Sequence, residues 1–106
     1  MDTDIIVGIG NADIRKRIQE SIPEERIVTL IHPDAVIAED VAIGVGTVVM
    51  AGAVINSGAS IGKACIINTC SSVDHDFKVG DYVHISVGSH LCGTVSVGSG
   101  TWIGAG

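Results

Sequence analysis

The sequence predicts a triangular prism of short parallel β-strands, wound about four times over residues 31–106, after a strand–helix–strand segment over residues 1–30. Three observations carry this. Stepping by six from Ile31 meets Ile37, Ile43, Val49, Ile55, Ile61, Ile67, Val73, Val79, Ile85, Leu91, Val97 and Ile103, thirteen aliphatic positions without an insertion. With Ile, Val and Leu at about a third of the chain, chance would give that run roughly once in a million. Gly44, Gly62, Gly80 and Gly98 recur every 18 residues, each just after an aliphatic position, so three hexads close one turn. The composition agrees: 14 Gly, one each of Phe, Tyr and Trp, and 46% apolar residues that are mostly Ile and Val suit a narrow, repetitive β core.

Taken in order, Asp4 to Ile9 (DIIVGI) reads as a buried strand and Gly10-Asn11 as a turn, with Asn11 a fair N-cap. Asn11 to Ser21 reads as a helix whose inner face is Ile14, Ile18 and Ile22, with Arg15, Lys16 and Arg17 toward water. Pro23 lies past its end, and Arg26 to Ile31 (RIVTLI) reads as a second strand. One such unit cannot bury both faces of a parallel sheet, so the segment is expected to be the tail of a larger α/β domain. Gly8-Ile9-Gly10 is half of a dinucleotide fingerprint, which Ala12 and Asp13 do not complete; as a lone motif it reads first as a tight strand-to-helix turn and only second as a nucleotide contact.

From Ile31 each hexad is one strand. Four residues after each aliphatic position come Ala35, Val41, Thr47, Ala53, Ala59, Cys65, Ser71, Phe77, Val83, Ser89, Val95 and Thr101. All but Phe77 are small or β-branched, as a second inward row requires. The glycines at 18-residue spacing are expected to take up strained corner dihedrals. Strands of successive coils should pair in parallel, so that residues 18 apart stack.

Several function classes fall away. Six Lys and Arg against 12 Asp and Glu leave a net charge of −6, a poor match for nucleic acid or an anionic membrane. No apolar run approaches the roughly 18 residues of a spanning helix. The start, Met1-Asp2-Thr3-Asp4, is acidic where a signal peptide would be basic. Cys65, Cys70 and Cys92, an odd count without a CxxC, suggest reduced thiols in a cytoplasmic protein.

The repeat is a scaffold, so chemistry is sought where polar residues break it. The densest break is Asn68-Thr69-Cys70-Ser71-Ser72-Val73-Asp74-His75-Asp76. On the 18-residue spacing Asn56 and Cys92 stack beside Asp74, and Ser57 and Gly93 beside His75, where Gly93 leaves room over the imidazole. A His beside a carboxylate is the simplest general base, because the carboxylate raises its basicity and fixes its tautomer. Cys92 lacks an adjacent base in sequence and is a weak candidate nucleophile.

The stretch IINTCSSVDHDFKVGDYVHISVGSHLCGTVSVGSG resembles the bacterial sialic acid O-acetyltransferase and UDP-4-amino-sugar N-acetyltransferase family, hexapeptide-repeat enzymes. IIVGIGNADIRKRIQ resembles the last βα unit of that family's sugar-nucleotide-binding domain, and LIHPDAVI its junction with the prism. The resemblance implies a left-handed β-helix, although parallel crossovers usually turn right. It implies acetyl-CoA as co-substrate, a sugar or UDP-amino-sugar acceptor and no metal. His75 then matches the catalytic base, Asp76 the acid that raises its basicity, and Asn68 a residue that shapes the site. His84 matches a contact to acetyl-CoA, Gly93 and Ala105 match backbone contacts to the cofactor, and Gly10 matches one to the sugar nucleotide. The family's first Gly-rich loop and its last coils have no counterpart, so the chain reads as a truncated member.

Two rival readings remain. A γ-carbonic-anhydrase-like metalloenzyme would draw on His75, His84 and His90, with Asp74, Asp76 and Cys92 nearby. Its His pair is five residues apart, whereas the gaps here are nine and six. A non-catalytic β-helix, ice-binding for example, needs regular outward Thr ladders, and the outward positions here are irregular. Finally, His75 and His84 are half a coil apart and cannot easily line one pocket within a single prism. A homotrimer, as in the hexapeptide acyltransferases, would join them across subunit boundaries.

Overall fold

A computed structural model describes residues 12–92 and 96–104. It contains one helix, α1 (Ala12–Glu20), a single 3-10 turn (Glu24–Arg26) and two-residue strands at every hexad. These are β1 (Leu30–Ile31), β2 (Val36–Ile37), β3 (Ala42–Ile43), β4 (Val48–Val49), β5 (Val54–Ile55), β6 (Ser60–Ile61) and β7 (Ile66–Ile67). They continue with β8 (Ser72–Val73), β9 (Lys78–Val79), β10 (His84–Ile85), β11 (His90–Leu91), β12 (Ser96–Val97) and β13 (Trp102–Ile103).

Every third strand joins the same sheet, giving three parallel sheets ordered β1-β4-β7-β10-β13, β11-β8-β5-β2 and β12-β9-β6-β3. All registers are 18 residues, as in Ile67↔Ile85 and Ile55↔Val73. The second residue of each strand points inward, and Val49, Ile55, Ile67, Val73 and Ile85 are all at most 1% exposed. Ala53, Ala59, Cys65, Phe77 and Val83 form the second inward row. The fold is the left-handed parallel β-helix that the hexad repeat and the resemblance together foretold, in about four turns. No helix among the described residues is long and apolar enough to cross a membrane.

The spaced glycines have a different reason from the expected one. The left-handed corner positions are Gly46, Gly52, Gly58, Gly88 and Gly100, with Ala64, Cys70, Asp76 and Tyr82 in the same conformation. Gly44 is not among them; a Cβ there would lie 2.5 Å from the backbone of Gly62 and Lys63 in the next coil. Gly44, Gly62 and Gly80 let coils approach, Gly98 has open space beside it, and none of the four supplies positive φ.

The helix forms where the sequence placed it, with Lys16 and Arg17 exposed and Ile18 and Ile22 half-buried as expected, but Arg15 and Gln19 take the innermost position instead of Ile14. Ile14 is 44% exposed, while Arg15 and Gln19 are buried against the prism at 0% and 4% exposure. The cause is the corner backbone. The carbonyls of Ala64 and Tyr82 receive no backbone donor among the described residues, and a buried carbonyl needs one; Val45 O already accepts the Ala64 N–H (3.0 Å) and takes Gln19 as a second donor. Arg15 Nε donates to Ala64 O (2.7 Å), Arg15 Nη2 to Tyr82 O (2.8 Å) and Gln19 Nε2 to Val45 O (3.3 Å). Isoleucines could satisfy none of them.

The strand expected over 26–31 is also reassigned. Arg26 ends the 3-10 turn, Ile27 makes a lone bridge, and Leu30–Ile31 pairs with β4 as the first strand of the prism. The expected first strand, Asp4 to Ile9, and the GIGN turn lie outside the described residues.

Candidate active site

His75 sits at the corner between β8 and β9. Its N–H donates to Asp74 Oδ1 (2.8 Å), and Phe77 N–H reaches back to Asp74 O (3.4 Å), so Asp74 closes the turn that presents the imidazole. The side chains of His75 and Asp76 are 59% and 64% exposed, with His75 Nδ1 3.4 Å from Asp76 Oδ2. Asp76 holds φ 56, the left-handed conformation that the corners of the prism share and that aspartate tolerates better than most residues with a side chain. Its N–H is held by Ser57 O (3.0 Å) one coil away. Gly58, also left-handed, leaves the space that the Asp76 carboxylate occupies, and a Cβ at Gly58 would run into Oδ1. The arrangement leaves Nε2 of His75 free to face an acceptor while Asp76 orients Nδ1, the geometry of a general base with its orienting acid.

Ser57 extends this corner, donating to both carboxylate oxygens of Asp40 (3.0 and 2.8 Å). Those bonds, Ser57's first, lower the Asp40 pKa. Asp40 is the acceptor of an inter-coil bond and stays charged.

His84 lies elsewhere, on the outer face of β10. Asn68 Nδ2 is 3.4 Å from its Nε2, and Asn68 Oδ1 accepts the Thr69 N–H (2.7 Å), which fixes the amide. Trp102, one coil on, packs against the ring at a tilt of 47° with centroids 4.4 Å apart. Nδ1 of His84 is buried without a hydrogen-bond partner among the described residues. Burial first, and then the charge of Arg15, lower the His84 pKa, so the ring is neutral.

The chain therefore brings together His75 with Asp76, and Asn68 with His84, but leaves the two pairs on different faces. Gly10, Gly93 and Ala105 lie outside the described residues. His90 pairs through Nδ1 with Ser72 Oγ at 2.7 Å. Among the described residues no three His, Cys, Asp or Glu side chains form a metal-ligating group. Cys65, Cys70 and Cys92 are free thiols; burial raises the pKa of Cys65, a core residue. Trp102 was not singled out from sequence, although its place 18 residues after His84 is the signal that could have found it.

No protein-family profile matches the chain. It is 33% identical over 102 residues to GDP-perosamine N-acetyltransferase of Escherichia coli O157:H7, covering 94% of this chain and 46% of that protein. The acetyltransferase domain of PglB from Neisseria gonorrhoeae FA1090, solved in complex with acetyl coenzyme A, superposes with a TM-score of 0.87 at 38% identity. That match covers 97% of this chain and 60% of the other. A histidine-to-asparagine variant of perosamine N-acetyltransferase from Caulobacter crescentus, in complex with CoA and GDP-perosamine, superposes with a TM-score of 0.80 at 31% identity. It covers 98% of this chain and 59% of that one. The chain thus spans about half the length of the E. coli relative.

Proposed function

We propose that this chain, which belongs by sequence and fold with the hexapeptide-repeat N-acetyltransferases of sugar nucleotides, moves an acetyl group from acetyl-CoA to an amino or hydroxyl group of a sugar nucleotide. One observation carries the reading: an exposed His75 with its Nδ1 3.4 Å from the Asp76 carboxylate, on a prism that matches a domain solved with acetyl coenzyme A. In the reaction His75 removes a proton from the acceptor nitrogen or oxygen as that atom attacks the thioester carbon. A backbone N–H, assigned to Gly93, stabilises the oxyanion. The C–S bond breaks, and the proton held by His75 passes to the CoA sulfur, with no acyl-enzyme. His84 and Ala105 are assigned to acetyl-CoA, Asn68 to the shape of the site and Gly10 to the sugar nucleotide. Residues 1–30 are assigned to the nucleotide-binding side and 31–106 to acetyl transfer.

The substrate class is an amino-sugar nucleotide of bacterial surface-polysaccharide synthesis, sialic acid being the O-acetyl counterpart, and the location is the cytoplasm. A thiol-release assay with acetyl-CoA and a panel of UDP- and GDP-amino sugars tests this. Acceptor-dependent release of CoA is expected; a protein that binds acetyl-CoA yet releases no thiol with any acceptor would overturn it.

The assembly is a homotrimer with the sites at subunit boundaries, supported by the separation of the two His residues on the prism. Three parallel prisms can bring His75 of one subunit to His84 of the partner subunit, in a closed cyclic assembly. Light scattering should give about three times the chain mass. A monomer would sink the shared site and return His84 to an ordinary surface role.

A further inference from the structure

Arg15 is a fully buried cation for which the acetyl transfer above has no use. Its bonds to Ala64 O and Tyr82 O bridge two successive coils at residues 18 apart. Both carbonyls belong to non-glycine residues in the left-handed region, φ 53 and 58. Each stands two residues ahead of a strand of the same sheet, Ala64 before β7 and Tyr82 before β10. β7 leads directly into Asn68, and β10 begins with His84. One guanidinium thus ties together the corners that lead into two paired strands, and Asn68, just past β7, meets His84 of β10 at 3.4 Å. Its planar fork suits this task, because two carbonyls are held at once in fixed directions.

We propose that Arg15 is a positioning residue for His84: docked from α1, it locks the two corners that precede β7 and β10 and so holds the imidazole between Asn68 and Trp102 to receive the acyl donor. The proposal rests on the assignment of His84 to acetyl-CoA.

The surroundings of His84 favour this. The coil on one side contributes Ile66 and Asn68, and the coil on the other contributes Trp102. The preceding corner contributes Tyr82, whose phenol burial keeps protonated, with Lys16 Nζ 5.9 Å from that ring's centroid. Arg15 is the charge that bears on the imidazole, and it acts in the same direction as burial, toward the neutral ring. Because the Asn68 amide donates to Nε2, the neutral ring already carries its N–H on Nδ1; a protonated ring would gain a cationic neighbour and set a new N–H on Nε2 against the Asn68 donor.

Imidazole-nitrogen NMR titration of the whole chain, with acetyl-CoA affinity by calorimetry, tests the proposal. In the wild type His84 should be neutral at pH 7 and protonate only below the ordinary imidazole value of about 6.5. Arg15→Met should move that midpoint upward and weaken acetyl-CoA binding about three- to tenfold, the span of one lost hydrogen bond. Arg15→Lys keeps the charge and loses the fork, so the midpoint should hold while affinity falls by a similar factor. A folded Arg15→Met chain with an unchanged His84 midpoint and unchanged affinity would overturn the proposal and leave Arg15 a staple between coils. Should Arg15→Met not fold, a wild-type His84 that titrates at or above the ordinary value, or an Arg15→Lys chain of unchanged affinity, would overturn it equally. If the wild-type chain binds no acetyl-CoA while the His84 midpoints behave as stated, the acetyl-transfer reading of this chain fails and the Arg15–His84 link stands.

Discussion

Ile61→Asp is expected to leave no folded protein, whereas Lys63→Asp should melt cooperatively close to the wild type. Ile61 is 4% exposed, inside the prism, stacked between Ile43 and Val79 of the neighbouring coils. The core cluster around it is almost entirely aliphatic and offers a carboxylate no cation and no donor. Losing the buried side chain alone costs about 2–5 kcal/mol, and an unpaired buried charge adds several more. A domain has about 5–15 kcal/mol in total. Lys63 is exposed, and its local bonds run through the backbone: its N–H to Asp81 Oδ1 (2.9 Å) and its carbonyl to the Tyr82 N–H (2.9 Å). Those groups survive substitution, and the new carboxylate near Asp81 costs at most about 1 kcal/mol in solvent. Circular dichroism melts decide the matter; two mutants with the same melt would mean that the hexad register is wrong.

The prism was legible because its physics is one-dimensional. Each hexad repeats one decision, inward or outward, and Ile31 to Ile103 repeats it thirteen times. The helix face was not legible, because apolar periodicity assumes an apolar partner. Here the partner is a pair of stacked corner carbonyls at Ala64 and Tyr82, which only the prism creates, and the donors on Arg15 outrank Ile14 for it. The glycines show a similar limit: their 18-residue spacing was plain, but whether it served dihedrals or close approach depended on where adjacent coils touch. His75 and Asp76 could be found as the break in the ladder. The pairing of Asn68 with His84 could not, since they are 16 residues apart and meet by reaching across a corner, not by stacking. That His75 and His84 belong to different faces was readable from their nine-residue separation.

His75→Ala should lower kcat of the active enzyme by roughly 10²–10⁴, the usual contribution of general acid–base catalysis, with little change in melting temperature. The two halves of that expectation have separate causes. The imidazole is 59% exposed and its one side-chain partner is the equally exposed Asp76, so removing it takes no packing from the fold. The turn survives, because Asp74 Oδ1 binds the backbone N–H of residue 75. The chemistry, by contrast, loses its proton acceptor at the step where acceptor and thioester meet. Asp76→Ala should cost less, since it leaves the base in place and removes only the carboxylate that orients it; the 3.4 Å Nδ1–Oδ2 separation is one that substrate binding can tighten. The same substitution does not relax the corner, because alanine tolerates φ 56 less well than aspartate, so stability should fall slightly. Steady-state rates with the best acceptor from the thiol-release panel, beside thermal melts of each variant, make the measurement. A His75→Ala enzyme with wild-type turnover would remove His75 from the mechanism, and a variant equally slow but unfolded would show that the corner and not the base had been lost.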